Sequence, residues 1–142
     1  AVYVNHGISE EGPSLSNCTF TKNTATNDGG AVWLGSSARL DGNTFVGNMA
    51  LANMASLGPN SGGGAVFVRT GISGNVWLSN CTFIKNTAID EGGAMWLGSS
   101  AQLEGVVFSS NVALRGHGSA VWVSLSVDLH RCSFCDGTAM GS

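Results

Sequence analysis

Carboxylates are the side chains of this chain that could support acid–base catalysis or hold calcium. Cleaving a polysaccharide requires carboxylates held close together, usually beside a basic partner. Asp41 and Glu104 occupy equivalent places in a repeated sequence, and Asp90 and Glu91 are adjacent. The other acids are Asp28, Asp128, Asp136, Glu10 and Glu11. No spacing marks a catalytic pair, so we predict that the protein is not an enzyme, and a carbohydrate-active enzyme fragment of the pectin-lyase type is the alternative.

The arginines and histidines do not combine with these acids into a catalytic or metal-binding site. The arginines are scattered, and the histidines form no pair at the spacing of metal ligands. These residues are Arg39, Arg69, Arg115, His6, His117 and His130. We therefore predict no metal and no cofactor.

Three of the four cysteines share a place in the sequence, two residues before a phenylalanine. They are Cys18, Cys81 and Cys132. Cys132 and Cys135 also form a single C-x-x-C motif, which makes them candidates for a local disulfide. A lone C-x-x-C without a second pair or a histidine at ligand spacing does not indicate zinc. Elsewhere, cysteine is expected to act as a small buried apolar residue.

Two N-glycosylation sequons also stand at equivalent places. Asn17-Cys18-Thr19 and Asn80-Cys81-Thr82 both match the acceptor pattern. Asn17 and Asn80 are therefore candidate glycan sites if a eukaryotic cell secretes the protein. Sequons also arise by chance in a chain rich in Asn and Thr, and a duplication makes these two a single event.

The elements that position these residues are repeats. Residues 17–45 return as residues 80–108 with 20 of 29 positions identical. A shorter motif of alanine, aliphatic, aromatic and aliphatic residues occurs five times, starting at Ala1, Ala31, Ala65, Ala94 and Ala120. After each motif comes a leucine five residues before a phenylalanine: Leu15/Phe20, Leu40/Phe45, Leu78/Phe83, Leu103/Phe108 and Leu129/Phe134. Five repeats of this kind account for the whole chain.

Each repeat consists of short apolar runs separated by Gly, Asn, Asp and Ser, without a helical stripe. A unit of three short strands cannot bury its own apolar face. Stacked units can, because each strand then pairs in parallel with its equivalent about 4.8 Å away. The predicted fold is all-β, a single-stranded parallel β-helix of about five coils without terminal caps. The predicted coils are approximately 1–30, 31–64, 65–93, 94–119 and 120–142.

Alternation along the strands separates an inner from an outer face. The aliphatic positions on either side of each aromatic residue hold only medium-sized side chains, as suits a narrow close-packed interior. The aromatic residues then form an outward column, which we call the outer column: Tyr3, Trp33, Phe67, Trp96 and Trp122. An apolar stripe of this size is typical of a contact surface. We expect another part of the same or a neighbouring chain to cover it, and a carbohydrate platform is the alternative.

Asparagines follow four of the five phenylalanines by three residues. They are Asn23, Asn48, Asn86 and Asn111, and Gly137 takes the fifth place. Stacked asparagines at a turn can bond side chain to side chain along the axis. We therefore assign them a structural role.

The repeats resemble the polymorphic outer-membrane protein repeat. Gly29-Gly30-Ala31-Val32, Gly63-Gly64-Ala65-Val66 and Gly92-Gly93-Ala94-Met95 look like its GGA-aliphatic motif. Phe20-Thr21-Lys22-Asn23 and its equivalents starting at Phe45, Phe83 and Phe108 look like its FxxN motif. The fifth repeat departs from both, with Gly118-Ser119-Ala120 and with Gly137 in place of Asn. The resemblance implies a right-handed β-helix at a cell surface, used for adhesion or structure, and it transfers no catalytic residue.

Composition excludes two classes of partner. Charged residues make up 11% of the chain and the net charge is −3, so no basic surface for nucleic acid is expected. The sequence contains no run of 18 apolar residues, so we expect no membrane-spanning helix in it. We predict a structural or adhesive segment of an extracellular or cell-surface protein, and we expect it to be an excerpt of a longer solenoid or a unit that stacks end to end. The expected partners are further coils, neighbouring copies, surface glycans or a cell-surface protein.

Overall fold

The computed structural model describes residues 1–5, 12–51, 61–72 and 74–140. These residues form four parallel sheets of five strands each, and every coil contributes one strand to each sheet. The predicted parallel β-helix of about five coils is confirmed. The prediction of three strands per coil is wrong, because a fourth strand of two residues follows the asparagine of the first four repeats and Gly137 of the fifth. Two residues are too few to produce an alternating pattern in the sequence.

Sheets A and B carry the two apolar motifs of the repeat. Sheet A contains the alanine-aromatic motif as Val2–Val4, Val32–Leu34, Val66–Val68, Met95–Leu97 and Val121–Val123. Sheet B contains the leucine as Ser14–Ser16, Ala38–Asp41, Val76–Ser79, Ala101–Glu104 and Val127–His130. Within each sheet, the strands follow chain order from the first coil to the fifth.

Sheets C and D complete each coil. Sheet C contains the phenylalanine as Thr19–Thr21, Thr44–Val46, Thr82–Ile84, Val107–Ser109 and Ser133–Cys135. Sheet D consists of the two-residue strands Thr24–Ala25, Met49–Ala50, Thr87–Ala88, Val112–Ala113 and Thr138–Ala139. The described residues contain no helix long and apolar enough to cross a membrane.

The strand register stacks equivalent residues. Phe20 pairs with Phe45, which pairs with Phe83, and the series continues to Phe108 and Phe134. Neighbouring rings lie 4.6 to 5.0 Å apart between centroids and are nearly parallel. We call this stack the inner column. Offset-stacked rings at this distance stabilise each other beyond their apolar burial.

The core fills the inside of the coils, as the alternation predicts. Val32 and Leu34 of sheet A are fully buried and pack with Leu40 of sheet B and Phe45 of sheet C. The middle three coils supply most of this cluster. Each coil alone has too little apolar surface to fold, and burial between coils provides the missing stabilisation.

Each coil turns at left-handed corners. Between sheets B and C, the corner residues have φ of 52° to 62° and are Asn17, Gly42, Asn80, Gly105 and Arg131. Between sheets C and D, φ is 50° to 62° at Lys22, Gly47, Lys85, Ser110 and Asp136. Glycine adopts this conformation without strain, whereas other residues do so at a cost of about 1 kcal/mol. The corners therefore explain part of the high glycine content.

Candidate functional site

The outer column forms a second aromatic stack on the opposite face of sheet A. Its ring centroids are 4.5 Å apart for Tyr3 and Trp33, and 6.2 Å apart for Trp33 and Phe67. The next spacings are 4.6 Å from Phe67 to Trp96 and 4.9 Å from Trp96 to Trp122. None of these rings belongs to the core cluster, so the outward assignment agrees with the structure.

This column is not an exposed stripe along its length. Trp96 is 0% exposed and Phe67 is 5% exposed, whereas Tyr3 is 66% exposed. Trp33 and Trp122 are half-buried. The chain itself therefore covers the middle of the column, and only its ends could serve as a contact surface.

Contacts with neighbouring corners account for this burial. The indole Nε1 of Trp96 donates to Oε2 of Glu91 at 3.3 Å. On its other side, a Cβ placed on Gly98 would lie 2.4 Å from the Trp96 ring and 2.7 Å from the backbone nitrogen of Thr70. The close approach of ring and backbone thus requires glycine at position 98. Gly35 stands in the same relation to Trp33, at 2.6 Å.

The sequence carried a signal for this packing that the alternation argument missed. Glycine follows the strand at Trp33 and Trp96, whereas Arg69 follows it at the smaller Phe67 and Ser124 follows it at Trp122, which is only half-buried. A large ring that folds over the chain leaves no room for a side chain beside it.

A cavity of about 560 Å³ opens beside the first coil, next to the exposed end of the outer column. Tyr3, Trp33, Asn27 and Asp28 contribute to its walls. The Oδ1 atom of Asp28 accepts a hydrogen bond from the backbone nitrogen of Gly62 at 3.0 Å. Burial raises the pKa of Asp28; the hydrogen bond from Gly62 opposes this increase and the charge of Asp90 adds to it.

The acids lie on different faces and are partly bound by neighbouring polar groups. Asp90 accepts a hydrogen bond from the Ser61 hydroxyl at 2.6 Å, on the same side as Asp28. Asp41 lies on the outer face of sheet B and accepts one from the Ser79 hydroxyl at 2.6 Å. Within the described ranges, no group of three His, Cys, Asp or Glu side chains could hold a metal ion. Glu10, Glu11 and His6 lie outside the described residues.

The outer face of sheet B forms a ladder between coils. The guanidinium of Arg39 lies 4.7 Å from the centroid of the Trp77 ring. The indole Nε1 of Trp77 donates to Oε1 of Gln102 at 3.1 Å. These polar groups bind one another along the axis, as the stacked register of the sheet dictates.

The asparagines form the predicted ladder along the axis. The Nδ2 atoms of Asn23, Asn48 and Asn86 each donate to Oδ1 of the asparagine in the next coil, at 3.0 Å. Nδ2 of Asn48 also donates to the carbonyl of Phe20 in the preceding coil, and Asn86 repeats this bond to Phe45. Asn48 and Asn86 are fully buried. Their burial is tolerated because their polar atoms are paired.

The cysteine column contains an asparagine that sequence reasoning missed. Asn43 occupies the place of Cys18 and Cys81 in the second coil, is fully buried, and accepts a hydrogen bond from the backbone nitrogen of Cys18 at 2.9 Å. Burial raises the pKa of the Cys81 thiol, and hydrogen bonds from the backbone and side chain of Asn43 oppose this increase. The thiol of Cys81 is therefore an inert packing group.

All four cysteines are free, so the candidate disulfide between Cys132 and Cys135 is not formed. Cys132 packs against the core, and its Sγ donates to the carbonyl of Leu103. Cys135 follows the inner-column Phe134 on its strand and therefore points outward, where it is exposed. The two side chains lie on opposite sides of the coil wall.

The sequon asparagines are exposed at the corner between sheets B and C. Both Asn17 and Asn80 have φ of 52°. In the coil that follows each of them, the corner residue is a glycine, Gly42 or Gly105, so no side chain stands over the amide from that coil. Whether either sequon carries a glycan stays a prediction.

Comparison with known proteins gives one match. The family model described as right handed beta helix region matches residues 6–141. No curated protein and no solved structure matches the chain. The match covers nearly every residue and agrees with the four stacked sheets, so the chain belongs to the right-handed β-helix family.

Proposed function

We propose that this β-helix is a non-catalytic structural or adhesive segment of an extracellular or cell-surface protein. In this role, the coils serve as a rod, and the outer faces and ends of the rod make contacts. The main support is the use of the polar side chains. The buried asparagines bond to one another along the axis, and the outer polar residues of sheet B also bond between coils.

A catalytic β-helix would use such outer residues differently. Acids that convert a polysaccharide must point together at one substrate and keep an acid and a base available. Here Asp41 binds Ser79, and Glu91 binds the indole of Trp96. Asp28 accepts a hydrogen bond from the backbone nitrogen of Gly62, and Asp90 accepts one from the hydroxyl of Ser61. These contacts favour a structural role for the acids.

The finer family assignment is also part of this proposal. The GGA-aliphatic and FxxN motifs favour a repeat of the polymorphic outer-membrane protein type. The glycines of the first motif and the asparagines of the second are packing residues in this fold: Gly63 forms a left-handed corner and Asn86 a ladder rung. A surface location is consistent with the exposed sequons and the low charge.

Assays of polysaccharide cleavage test the proposal. The purified protein is incubated with pectic, β-linked and acidic polysaccharides, and new reducing ends and unsaturated products are measured. We expect no increase over a heat-denatured control. Cleavage that is lost in both Asp41→Asn and Glu104→Gln would overturn the proposal in favour of a carbohydrate-active enzyme fragment.

Binding assays separate the structural from the glycan-binding reading. A glycan-binding module would use the accessible end of the outer column, so Tyr3→Ala would reduce carbohydrate affinity. A matched substitution at the covered Trp96 would reduce it only through stability. We expect no difference in affinity between Tyr3→Ala and the unaltered protein.

A further inference from the structure

The two sequons stand in almost identical surroundings that differ at one outward residue. Residues 14–20 read SLSNCTF and residues 77–83 read WLSNCTF, so Trp77 takes the place of Ser14 three residues before the sequon asparagine. Both asparagines, Asn17 and Asn80, have φ of 52° at the corner between sheets B and C. The duplication therefore supplies two candidate glycan sites, of which only one has an aromatic side chain on the strand beside it.

The side-chain amide of Asn80 is turned back over the outer face of sheet B. Its Nδ2 atom lies 3.4 Å from Oδ1 of Asp41, the same oxygen that accepts a hydrogen bond from the Ser79 hydroxyl at 2.6 Å. Asp41 and Ser79 are paired residues on neighbouring strands of this sheet. Because an amide nitrogen carries two hydrogens, a sugar can replace one while the other still points at Asp41. A sugar on Asn80 would thus start at the outer face of sheet B.

The next outward residues along this face are Arg39 and Trp77. Outward residues alternate along a strand, so Arg39 stands about 7 Å from Asp41, and Trp77 the same distance from Ser79. The guanidinium of Arg39 lies 4.7 Å from the centroid of the Trp77 ring. The indole Nε1 already donates to Gln102. Since indole has a single polar hydrogen, the remaining accessible surface of Trp77 is apolar.

This pair has the chemistry that binds an N-acetylated pyranose. The C–H groups of the sugar ring can pack on the apolar surface of the indole, as other apolar groups do. The carbonyl oxygen of the N-acetyl group and the hydroxyl oxygens can accept hydrogen bonds from the Arg39 guanidinium. One pyranose with its N-acetyl group spans the distance between the Asn80 amide and the pair. Ser14, in the equivalent place beside Asn17, offers no such apolar surface.

We infer that the outer face of sheet B contains a binding site for the first sugar of an N-linked glycan on Asn80, formed by Arg39 and Trp77, and that a glycan on Asn17 has no equivalent site. The inference rests on the proposed function, because a secreted protein meets the donor, a lipid-pyrophosphate-linked oligosaccharide. In the transfer, the amide nitrogen bonds to the anomeric carbon of the sugar and loses one proton. The bond from that carbon to the pyrophosphate oxygen breaks, and the pyrophosphate leaves with the electron pair.

Two variants with one sequon each test this site. Asn17→Gln leaves only the Asn80 sequon, and Asn80→Gln leaves only the Asn17 sequon. Both are secreted from eukaryotic cells, an endoglycosidase trims each glycan to its first sugar, and mass spectrometry verifies its presence. The same variants made in bacteria are the sugar-free references. We expect the sugar on Asn80 to raise Tm by about 2 to 4 °C and the sugar on Asn17 to raise it by less than about 1 °C.

The substitution Trp77→Ser gives the second sequon the surroundings of the first. In the Asn17→Gln background, it is expected to reduce the difference in Tm between the glycosylated and the sugar-free protein to less than about 1 °C. This difference is measured within one variant, so a loss of stability from Trp77→Ser itself cancels. Arg39→Gln leaves the indole in place and is expected to reduce the difference by about half.

Nuclear magnetic resonance gives a readout that needs no change at Trp77. The ring current of the indole should move proton signals of the sugar on Asn80 upfield, whereas the sugar on Asn17 should keep the shifts of a free glycopeptide. Equal shifts for the two sugars would contradict the proposed site.

Three further outcomes would overturn the inference: an equal rise in Tm at both sequons, a rise at Asn80 that survives Trp77→Ser, or secretion with Asn80 unmodified. Each of them leaves the proposed structural role intact. Polysaccharide cleavage would refute that role without changing the effect of the sugar on Tm.

Discussion

The protein contains two aromatic columns. The comparison between them shows that the repeat determines how the rings stack, whereas the groups around each ring determine how deeply it is buried. The inner column of phenylalanines lies inside the coils and is closed on all sides in the middle of the rod. The outer column of Tyr, Trp and Phe stacks at nearly the same spacing but lies outside the wall of sheet A. Both have fully buried members, Phe83 and Trp96. Stacking alone therefore does not distinguish core from surface.

The difference lies in what covers each column. Residues at equivalent positions of the repeat enclose Phe83, so each coil supplies the same surroundings. Trp96 is enclosed by groups that differ from coil to coil: the Glu91 carboxylate binds its indole and the backbone of Thr70 lies beside it, whereas the equivalent Asp28 binds Gly62. As a result, exposure varies from Tyr3 to Trp96 along the outer column, while it is uniform through the middle of the inner one.

Removing a ring of the inner column gives the largest expected effect. Phe83→Ala leaves a cavity between Phe45 and Phe108 and is expected to lower the free energy of unfolding by about 3 to 5 kcal/mol. Urea denaturation followed by circular dichroism measures this loss. The half-exposed Phe134 is the matched control, and Phe134→Ala should cost roughly half as much. Equal losses would show that the end coil is packed as tightly as the middle.

Removing the covered ring of the outer column should cost nearly as much. Trp96→Ala is expected to lower the free energy of unfolding by about 3 kcal/mol, because a fully buried indole and its bond to Glu91 are lost. Tyr3→Ala, at the exposed end, should change it by less than about 1 kcal/mol. If the two variants were equally stable, the covering of the outer column would contribute nothing to folding.

The sequence predicted the inner column completely and the outer column only in part. Period and alternation placed Phe20 over Phe45 and turned Val32 and Leu34 inward, because these features depend on the register alone. The cover over Trp96 depends on how Glu91 and Thr70 fold back from a corner, which no alternation records. The strands of sheet D were not predicted for a related reason: each, like Thr87–Ala88, has only two residues, which is too short to show an alternating pattern.

A smaller effect tests the close packing around the outer column. Gly98→Ala places a Cβ against the Trp96 ring and the nitrogen of Thr70, and is expected to cost about 1 to 3 kcal/mol in unfolding free energy. The third coil has Phe67 in the place of Trp96 and Arg69 in the place of Gly98, so a side chain is tolerated beside the smaller ring. In a Trp96→Phe background, the same Gly98→Ala change should cost about 1 kcal/mol less, because the contact with the ring is removed while the contact with the Thr70 nitrogen remains. An additive double-mutant cycle would contradict the proposed contact.

The smallest expected effect concerns Asp28, at the corner beside the less covered part of the outer column. Burial raises its pKa in the folded state above the ordinary value of 3.8. The folded protein then binds this proton more tightly than the unfolded chain does, so this residue's contribution to stability is greatest below pH 3.8 and declines as the pH rises through the raised pKa. Asp28→Asn keeps an oxygen for the Gly62 nitrogen and removes the charge. We expect it to raise the free energy of unfolding at pH 7 by less than about 1 kcal/mol, because solvent screens a half-buried carboxylate.

Urea denaturation of both proteins between pH 3 and pH 8 measures this difference, with Asp128→Asn as the control at an exposed acid. The gain from Asp28→Asn should shrink as the pH falls, because the carboxyl group of the unaltered protein then becomes neutral as well. The opposite slope, with Asp28→Asn losing stability towards neutral pH, would mean that the carboxylate favours the fold. In that case, the corner beside the outer column would stabilise charge, as a binding surface does, and the contrast with the sealed inner column would be one of function as well as of packing.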